Sequence, residues 1–347
     1  MKLPGLIDPH VHLRDPGQIE KEDFYSGSQA ALAGGYTTII DMPNNLVPVT
    51  TLERLEEKIS IAKDKILCDV GFHFGSLGDN LNEFEKAKNL TIGLKLFLNE
   101  TTGNFLLNED RLLEIFKFWP QNKVILFHAE EEKIDLVISI LKKHPRPVHI
   151  CHISTQSELE RIMTSKKQNL PLTCGVTPHH LFLTENDASH LGGFGIMKPF
   201  LKSQKNVDFL WRNLKAIDCI ESDHAPHSLE EKQLENPPFG IPGLETTLPL
   251  LITAMHEGKI TLDQIIEKCH SNPARIFNLS TDKNTLVEID LTEKYEIKNE
   301  NLFTKCKWSP FNGWKVYGKV RRVFIRGNIV FEDGRVHANP GSGKILP

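Results

Sequence analysis

Short apolar, β-branched runs recur along the chain, each separated from the next by enough residues for a helix. They cover residues 5–11, 37–42, 66–74, 92–98, 123–127, 147–153, 171–176 and 216–220. Runs of this length and composition predict strands. Helical patterns fill the intervals at 23–33, 51–62, 110–118, 130–141 and 155–164. Strands alternating with helices predict a parallel sheet covered by helices. Eight such units within about 230 residues predict a closed (β/α)8 TIM barrel, for which about 250 residues is typical. A further helical block spans Leu244–His256 and 262–269. From Leu286 onward the pattern changes to short alternating strands at 315–317, 321–326 and 329–332, with turns expected at Gly318, Gly327 and Asp333-Gly334. The expected organisation is a catalytic barrel over residues 1–285 with a small β-rich extension, 286–347, packed on it.

Composition narrows the class without changing that picture. The chain has 347 residues, 39% hydrophobic and 25% charged, with a net charge of −4. These values are ordinary for a globular protein and give no basic surface for nucleic acid. No run of about 18 apolar residues predicts a membrane span. The opening Met1-Lys2-Leu3-Pro4-Gly5-Leu6-Ile7-Asp8 does not read as a signal peptide. Six cysteines without framework spacing are expected to be reduced thiols of a cytoplasmic protein.

The candidate chemistry sits at strand ends, where barrel enzymes place their active sites. His10 and His12 close the first strand, and residues two apart share a face. Two imidazoles on one face suit a divalent metal such as zinc. Lys95 interrupts an otherwise apolar strand. A buried ammonium there must find a partner or lose its proton. As a neutral amine it can take up carbon dioxide, and the resulting carbamate can bridge two metals. His128 and His152 end the fifth and sixth strands. His149 and Cys151 are near neighbours of His152, with Cys151 a possible auxiliary ligand. Asp223 follows the eighth strand and suits proton shuttling, with Glu221 and His224 as rivals for that role. Two metals sharing a water favour hydrolysis of an amide-like bond or its reversal. The ligand types equally suit phosphoester hydrolysis.

Taken together, these motifs resemble those of dihydroorotases. The resemblance rests on Asp8-Pro9-His10-Val11-His12-Leu13-Arg14, Asp41-Met42-Pro43-Asn44-Asn45, Gly93-Leu94-Lys95-Leu96-Phe97, His149-Ile150-Cys151-His152, Thr177-Pro178-His179-His180, Ser222-Asp223-His224-Ala225-Pro226-His227, Gly240-Ile241-Pro242-Gly243 and Asn272-Pro273-Ala274-Arg275. It runs nearly end to end and looks closest to the dihydroorotase domain of the animal multifunctional pyrimidine-synthesis protein. It implies two Zn2+ ions bridged by N6-carboxylated Lys95 and a hydroxide. His10, His12 and Asp223 would hold one ion, and His128 and His152 the other. Asp223 would be the catalytic acid and base for interconverting N-carbamoyl-L-aspartate and (S)-dihydroorotate. Arg14 and Asn44 would bind the substrate carboxylate, with His227, Lys198 and Phe239 also at the substrate. Thr101 and Thr102 would lie on a mobile loop. A homodimer and noncovalent association with aspartate transcarbamoylase are the partner arrangements it suggests.

The chain leaves the family pattern at three places. Gly175 replaces an acidic residue associated with a third metal, Lys198 replaces an arginine, and Thr102 replaces an aromatic. The rival readings are another cyclic amidohydrolase (hydantoinase, dihydropyrimidinase or allantoinase) and an inactive dihydroorotase-like scaffold for aspartate transcarbamoylase. The Arg14 and Asn44 pair weighs against the first, and the complete ligand set against the second.

Overall fold

The computed structural model describes residues 1–101, 105–107 and 109–347. Eight parallel strands form one sheet in chain order: β2 (Leu6–Val11), β3 (Tyr36–Asp41), β4 (Asp69–Gly75), β5 (Gly93–Phe97), β6 (Ile125–His128), β7 (Val148–Ile150), β8 (Leu172–Val176) and β9 (Cys219–Ile220). The sheet curls nearly closed. A parallel bridge from Val11 to His224 and the hydrogen bond from His12 N–H to the His224 carbonyl, 2.7 Å, join its first strand to the chain beyond its last. The expected (β/α)8 barrel is therefore present.

Alternation on β5 shows how the barrel separates its two sides. Leu94 and Leu96 enter the large core between sheet and helices. Lys95 and Phe97 point the other way, toward the barrel axis, as period-two geometry requires. Inside the barrel a second apolar cluster of Ile40, Ile92, Val124, Leu126 and Phe277 forms a floor. The Phe277 ring contacts those of His73 and His149, at centroid distances of 5.8 and 5.5 Å. Above this floor the interior becomes polar.

Helix starts follow local chemistry. Thr155 caps Gln156–Lys167 in a capping box with Glu158. Thr177 caps Pro178–Phe182, with proline at the first turn, where its missing N–H costs nothing. That helix, Glu185–Leu191 and Gln204–Arg212 lie between β8 and β9 and had not been expected from periodicity, because two are short.

The second sheet is antiparallel, in the order β1 (Lys2–Pro4), β10 (Leu286–Glu296), β11 (Lys315–Ile325), β12 (Asn328–Glu332) and β13 (Arg335–Val336). The β-rich extension thus takes its edge strand from the N-terminus, with Leu3 opposite Val287. Gly318 is not the turn expected of it. It lies inside the continuous strand β11 at φ +90°, where a Cβ would come within 2.7 Å of Ile252. The glycine allows close packing on the helix Leu244–His256 instead of reversing the chain. Arg326-Gly327 and Asp333-Gly334 do turn the chain, with φ positive at all four residues, as two-residue hairpin loops prefer. All six cysteines are free and buried. Among the described residues, no helix is long and apolar enough to cross a membrane.

Candidate metal centre

His10 lies on β2 and His12 just beyond it, and both side chains face the barrel axis. Their Nε2 atoms approach the same carboxylate oxygen, Asp223 Oδ1, at 3.2 and 3.1 Å. Asp223 reaches this point from a left-handed backbone conformation, φ +46°. His128 is the last residue of β6, and His152 follows β7 with φ +37°. His128 Nδ1 and His152 Nε2 are 3.0 Å apart. The His10 and His152 rings, 5.2 Å apart, join the two groups into one cluster. Non-glycine residues at positive φ are strained by about 1–3 kcal/mol, and such strain gathers at functional sites. Arg14, at φ +64°, is a third instance beside this cluster.

Lys95 is fully buried beneath these histidines. Its Nζ donates to Cys151 Sγ at 3.1 Å and lies 4.9 Å from the centre of the Phe97 ring. Among the described residues no carboxylate forms an ion pair with it. Glu221, also buried, accepts a hydrogen bond from His152 N–H and lies 3.4 Å from His149 Nε2. It is thus set to orient the chain around His152. A Cβ at Gly175 would fall 2.5 Å from Glu221 Cδ, so the missing side chain leaves the room this carboxylate occupies. Asp8 sits deeper, accepting from His10 N–H at 3.1 Å and from Ser222 N–H.

Burial governs the electrostatics. It lowers the pKa values of His10, His12, His128 and His152, with neighbouring positive groups, Lys95 among them, adding to the effect, so these imidazoles are held neutral. Burial also raises Asp223 to about 7; Lys95 opposes this rise and Glu221 adds to it. Among the described residues, His10 Nδ1, His128 Nε2 and His152 Nδ1 are buried without hydrogen-bond partners, with Glu221 3.7 Å from the first and Glu130 3.7 Å from the second. Neutral imidazoles with unsatisfied nitrogens, beside a buried carboxylate, are the donor set of a divalent cation. One atom from each of His10, His12 and Asp223 falls within 4.8 Å of the others, and the same holds for His10, Cys151 and Glu221. The residues fit a metal.

A second set of groups lines one side of the cluster. Arg14 is buried, with Nε donating to the Pro226 carbonyl and Nη2 contacting His227 Nε2, both at 3.1 Å. His227 Nε2 is also 2.9 Å from the Phe239 carbonyl, and Trp308 Nε1 donates to the His227 carbonyl at 2.7 Å. The Asn44 side chain interacts with His12, and among the described residues its buried Oδ1 has no hydrogen-bond partner. Lys198 is half-buried, its Nζ 4.0 Å from the Phe200 ring centre and 5.3 Å from that of Phe239. Thr101 is half-buried, and Thr102 lies outside the described residues. The contacts of Pro226 and Trp308 with this region carry no sequence signal, because each runs through a backbone carbonyl, that of Pro226 and that of His227.

The sequence matches the model of the amidohydrolase family over residues 1–330. It is 43% identical over 348 residues to the multifunctional protein CAD of Squalus acanthias, covering 99% of this chain and 15% of that protein. The chain therefore spans only a small part of that relative. It is 37% identical to the dihydroorotase of Pyrococcus horikoshii, covering 99% of this chain and 84% of that one. Among solved structures it is similar to an L-hydantoinase (dihydropyrimidinase) from Arthrobacter aurescens, at TM-score 0.94 and 26% identity, covering 99% of this chain and 88% of the other. This chain belongs to the amidohydrolase family, and within it to the dihydroorotases.

Proposed function

We propose that this chain interconverts N-carbamoyl-L-aspartate and (S)-dihydroorotate with loss or gain of water. The observation that carries this reading is the buried Arg14 guanidinium beside the metal-type cluster. Its hydrogen-bond partners are neutral, the Pro226 carbonyl and His227. Among the described residues no carboxylate forms an ion pair with it, although Asp223, Asp41 and Glu231 are near enough to favour its charge; such a buried cation is poised to receive a carboxylate from a ligand, which a guanidinium fork matches in shape. The substrate of a simple hydantoinase offers no such group, which separates this reading from the hydantoinase-like fold.

The proposed cofactor is a pair of Zn2+ ions. His10, His12 and Asp223 would hold one, His128 and His152 the other, and Lys95, carboxylated at Nζ, would be shared. Such a pair supplies Lewis acidity and an acidified water. The chain's own groups do the rest. Asp223 takes a proton at its carboxylate from the attacking water during ring opening and delivers it to the departing amide nitrogen. In ring closure it takes the proton from that nitrogen and returns it to the leaving water. In the metal-free protein burial raises this carboxylate to about 7; a cation bound beside it lowers that value, so that the group starts ring opening as the proton acceptor. Arg14, with Asn44, orients the substrate carboxylate. His227 and the Phe239 backbone close the same side, and Lys198 supplies a charge without the fork of an arginine. Thr101 and Thr102 would cover the bound substrate. The proposal places the protein in the cytoplasm, as a homodimer and in noncovalent association with aspartate transcarbamoylase. That the Squalus relative is a multifunctional protein supports association with further enzymes.

Substitution of Lys95 tests the shared-ligand role. Lys95→Ala is expected to lose both turnover and metal, and a short carboxylic acid should restore part of each. Full activity and full metal content in Lys95→Ala would refute the role.

A further inference from the structure

Lys58 lies outside the site, on the helix Leu52–Lys63, yet is 1% exposed. A buried ammonium is costly unless all its donors are met. Here they are: Nζ pairs with Asp41 Oδ2 at 2.6 Å and donates to the Met42 carbonyl at 2.8 Å and to Asn45 Oδ1 at 2.7 Å. Two of these acceptors reach onward. Asp41 Oδ1 accepts from Leu13 N–H at 2.8 Å, and Asn45 Nδ2 donates to the Pro16 carbonyl at 3.1 Å. One cation therefore ties residues 13–16 to residues 41–45. These are the chain segments that carry Arg14 and Asn44.

We propose that Lys58, through Asp41 and Asn45, is a positioning residue that fixes the spacing between Arg14 and Asn44 and so sets selectivity for a substrate bearing a carboxylate. The inference rests on the proposed roles of Arg14 and Asn44. The network brackets Arg14 on both sides, at Leu13 and at Pro16. This bracketing holds its left-handed backbone, at φ +64°, in place. Neither Lys58 nor Asn45 is among the proposed metal ligands, so loosening the network moves the carboxylate-binding pair while leaving His10, Lys95, His128, His152 and Asp223 in place, and His12, next to Leu13, keeps its own backbone bond to the His224 carbonyl.

Asn45→Ala is the mild test, because it cuts the tie to Pro16 while keeping the Lys58–Asp41 ion pair and the Asp41 tie to Leu13. Lys58→Met alone leaves a buried carboxylate unpaired and can fail to fold. The paired change Lys58→Met with Asp41→Asn removes both charges and keeps an acceptor for Leu13 N–H. Each variant is assayed beside the unmodified protein for KM and kcat with dihydroorotate, metal content and melting temperature. The expected result is a KM raised about tenfold, the equivalent of one hydrogen bond of about 1.4 kcal/mol, with kcat within about twofold and metal content unchanged. An unchanged KM in folded variants overturns the proposal. So does a joint fall of kcat, metal content and melting temperature, which is the signature of general loosening. If the unmodified protein fails to turn over dihydroorotate, the functional reading itself falls, and this inference with it.

Discussion

Replacing Arg14 with methionine separates substrate recognition from folding, because the two effects have different sizes. The side chain is 4% exposed, and burial pulls its pKa down to about 10 against the opposing effect of Asp223, Asp41 and Glu231. The shift, net of the carboxylates that oppose it, corresponds to a cost in the folded protein of about 3 kcal/mol, at roughly 1.4 kcal/mol per pKa unit. Methionine removes this cost and forfeits the contacts to Pro226 and His227, each about 1.5–3 kcal/mol as hydrogen bonds of a charged group. The balance predicts a loss of folding stability of no more than about 3 kcal/mol. Recognition loses more. Two charge-assisted hydrogen bonds to a substrate carboxylate are each worth about 1.5–3 kcal/mol. Losing them lowers kcat/KM for dihydroorotate by at least about a hundredfold. Steady-state kinetics, elemental metal analysis and thermal unfolding on one preparation measure all three quantities. Kinetics unchanged within threefold, or a loss of metal accompanying the loss of activity, would refute the argument.

Other outcomes follow from buried groups and from glycines. In metal-free protein, burial holds His73 and His227 to about 3, and His180 to about 4. The unfolded chain binds protons at these sites below about pH 6.5 and the folded chain does not, so stability is full above that pH and falls as pH drops toward 3. Between pH 6.5 and 5, His73 and His227 should each remove about 2 kcal/mol, and denaturant titrations giving a flat stability profile would contradict this. Gly318→Ala forces a Cβ to 2.7 Å from Ile252 at φ +90°; it should cost about 2 kcal/mol or more, and an unchanged melting temperature would show that the sheet yields there. Gly175→Ala places a Cβ against the Glu221 carboxylate, which should lower metal content by displacing His152, and unaltered metal content would remove Glu221 from that orienting role.

The barrel was legible because its strands are buried on both sides and so read as unbroken apolar runs, as on β5, where Lys95 stands out as the one polar interruption. The site was legible for a related reason. Ionisable residues at strand ends have no packing role that would explain them, and His10 with His12 carries its geometry in its spacing. Where backbone conformation decides the structure, the sequence was less informative. Gly318 and Gly327 look alike as residues, but one permits close packing inside a strand and the other turns a hairpin. The N-terminal residues Lys2–Pro4 lie ahead of the predicted first strand and carry no strand pattern of their own, yet they pair with Leu286–Glu288 across nearly the whole chain. Short-range periodicity holds no record of such a pairing. The Lys58 network was hidden similarly, since a lysine on a helix reads as solvated until the partners enclosing it are known.

The most direct test of the functional reading is a paired assay on protein of known metal content, with dihydroorotate and hydantoin as alternative substrates. The account predicts close to two metal ions per chain, reversible turnover of dihydroorotate, and activity on hydantoin lower by at least about a hundredfold, the value of the lost carboxylate contacts. Equal or faster turnover of hydantoin would contradict the assignment of Arg14 and Asn44, and metal-loaded protein inert toward both substrates would contradict the assignment of the reaction.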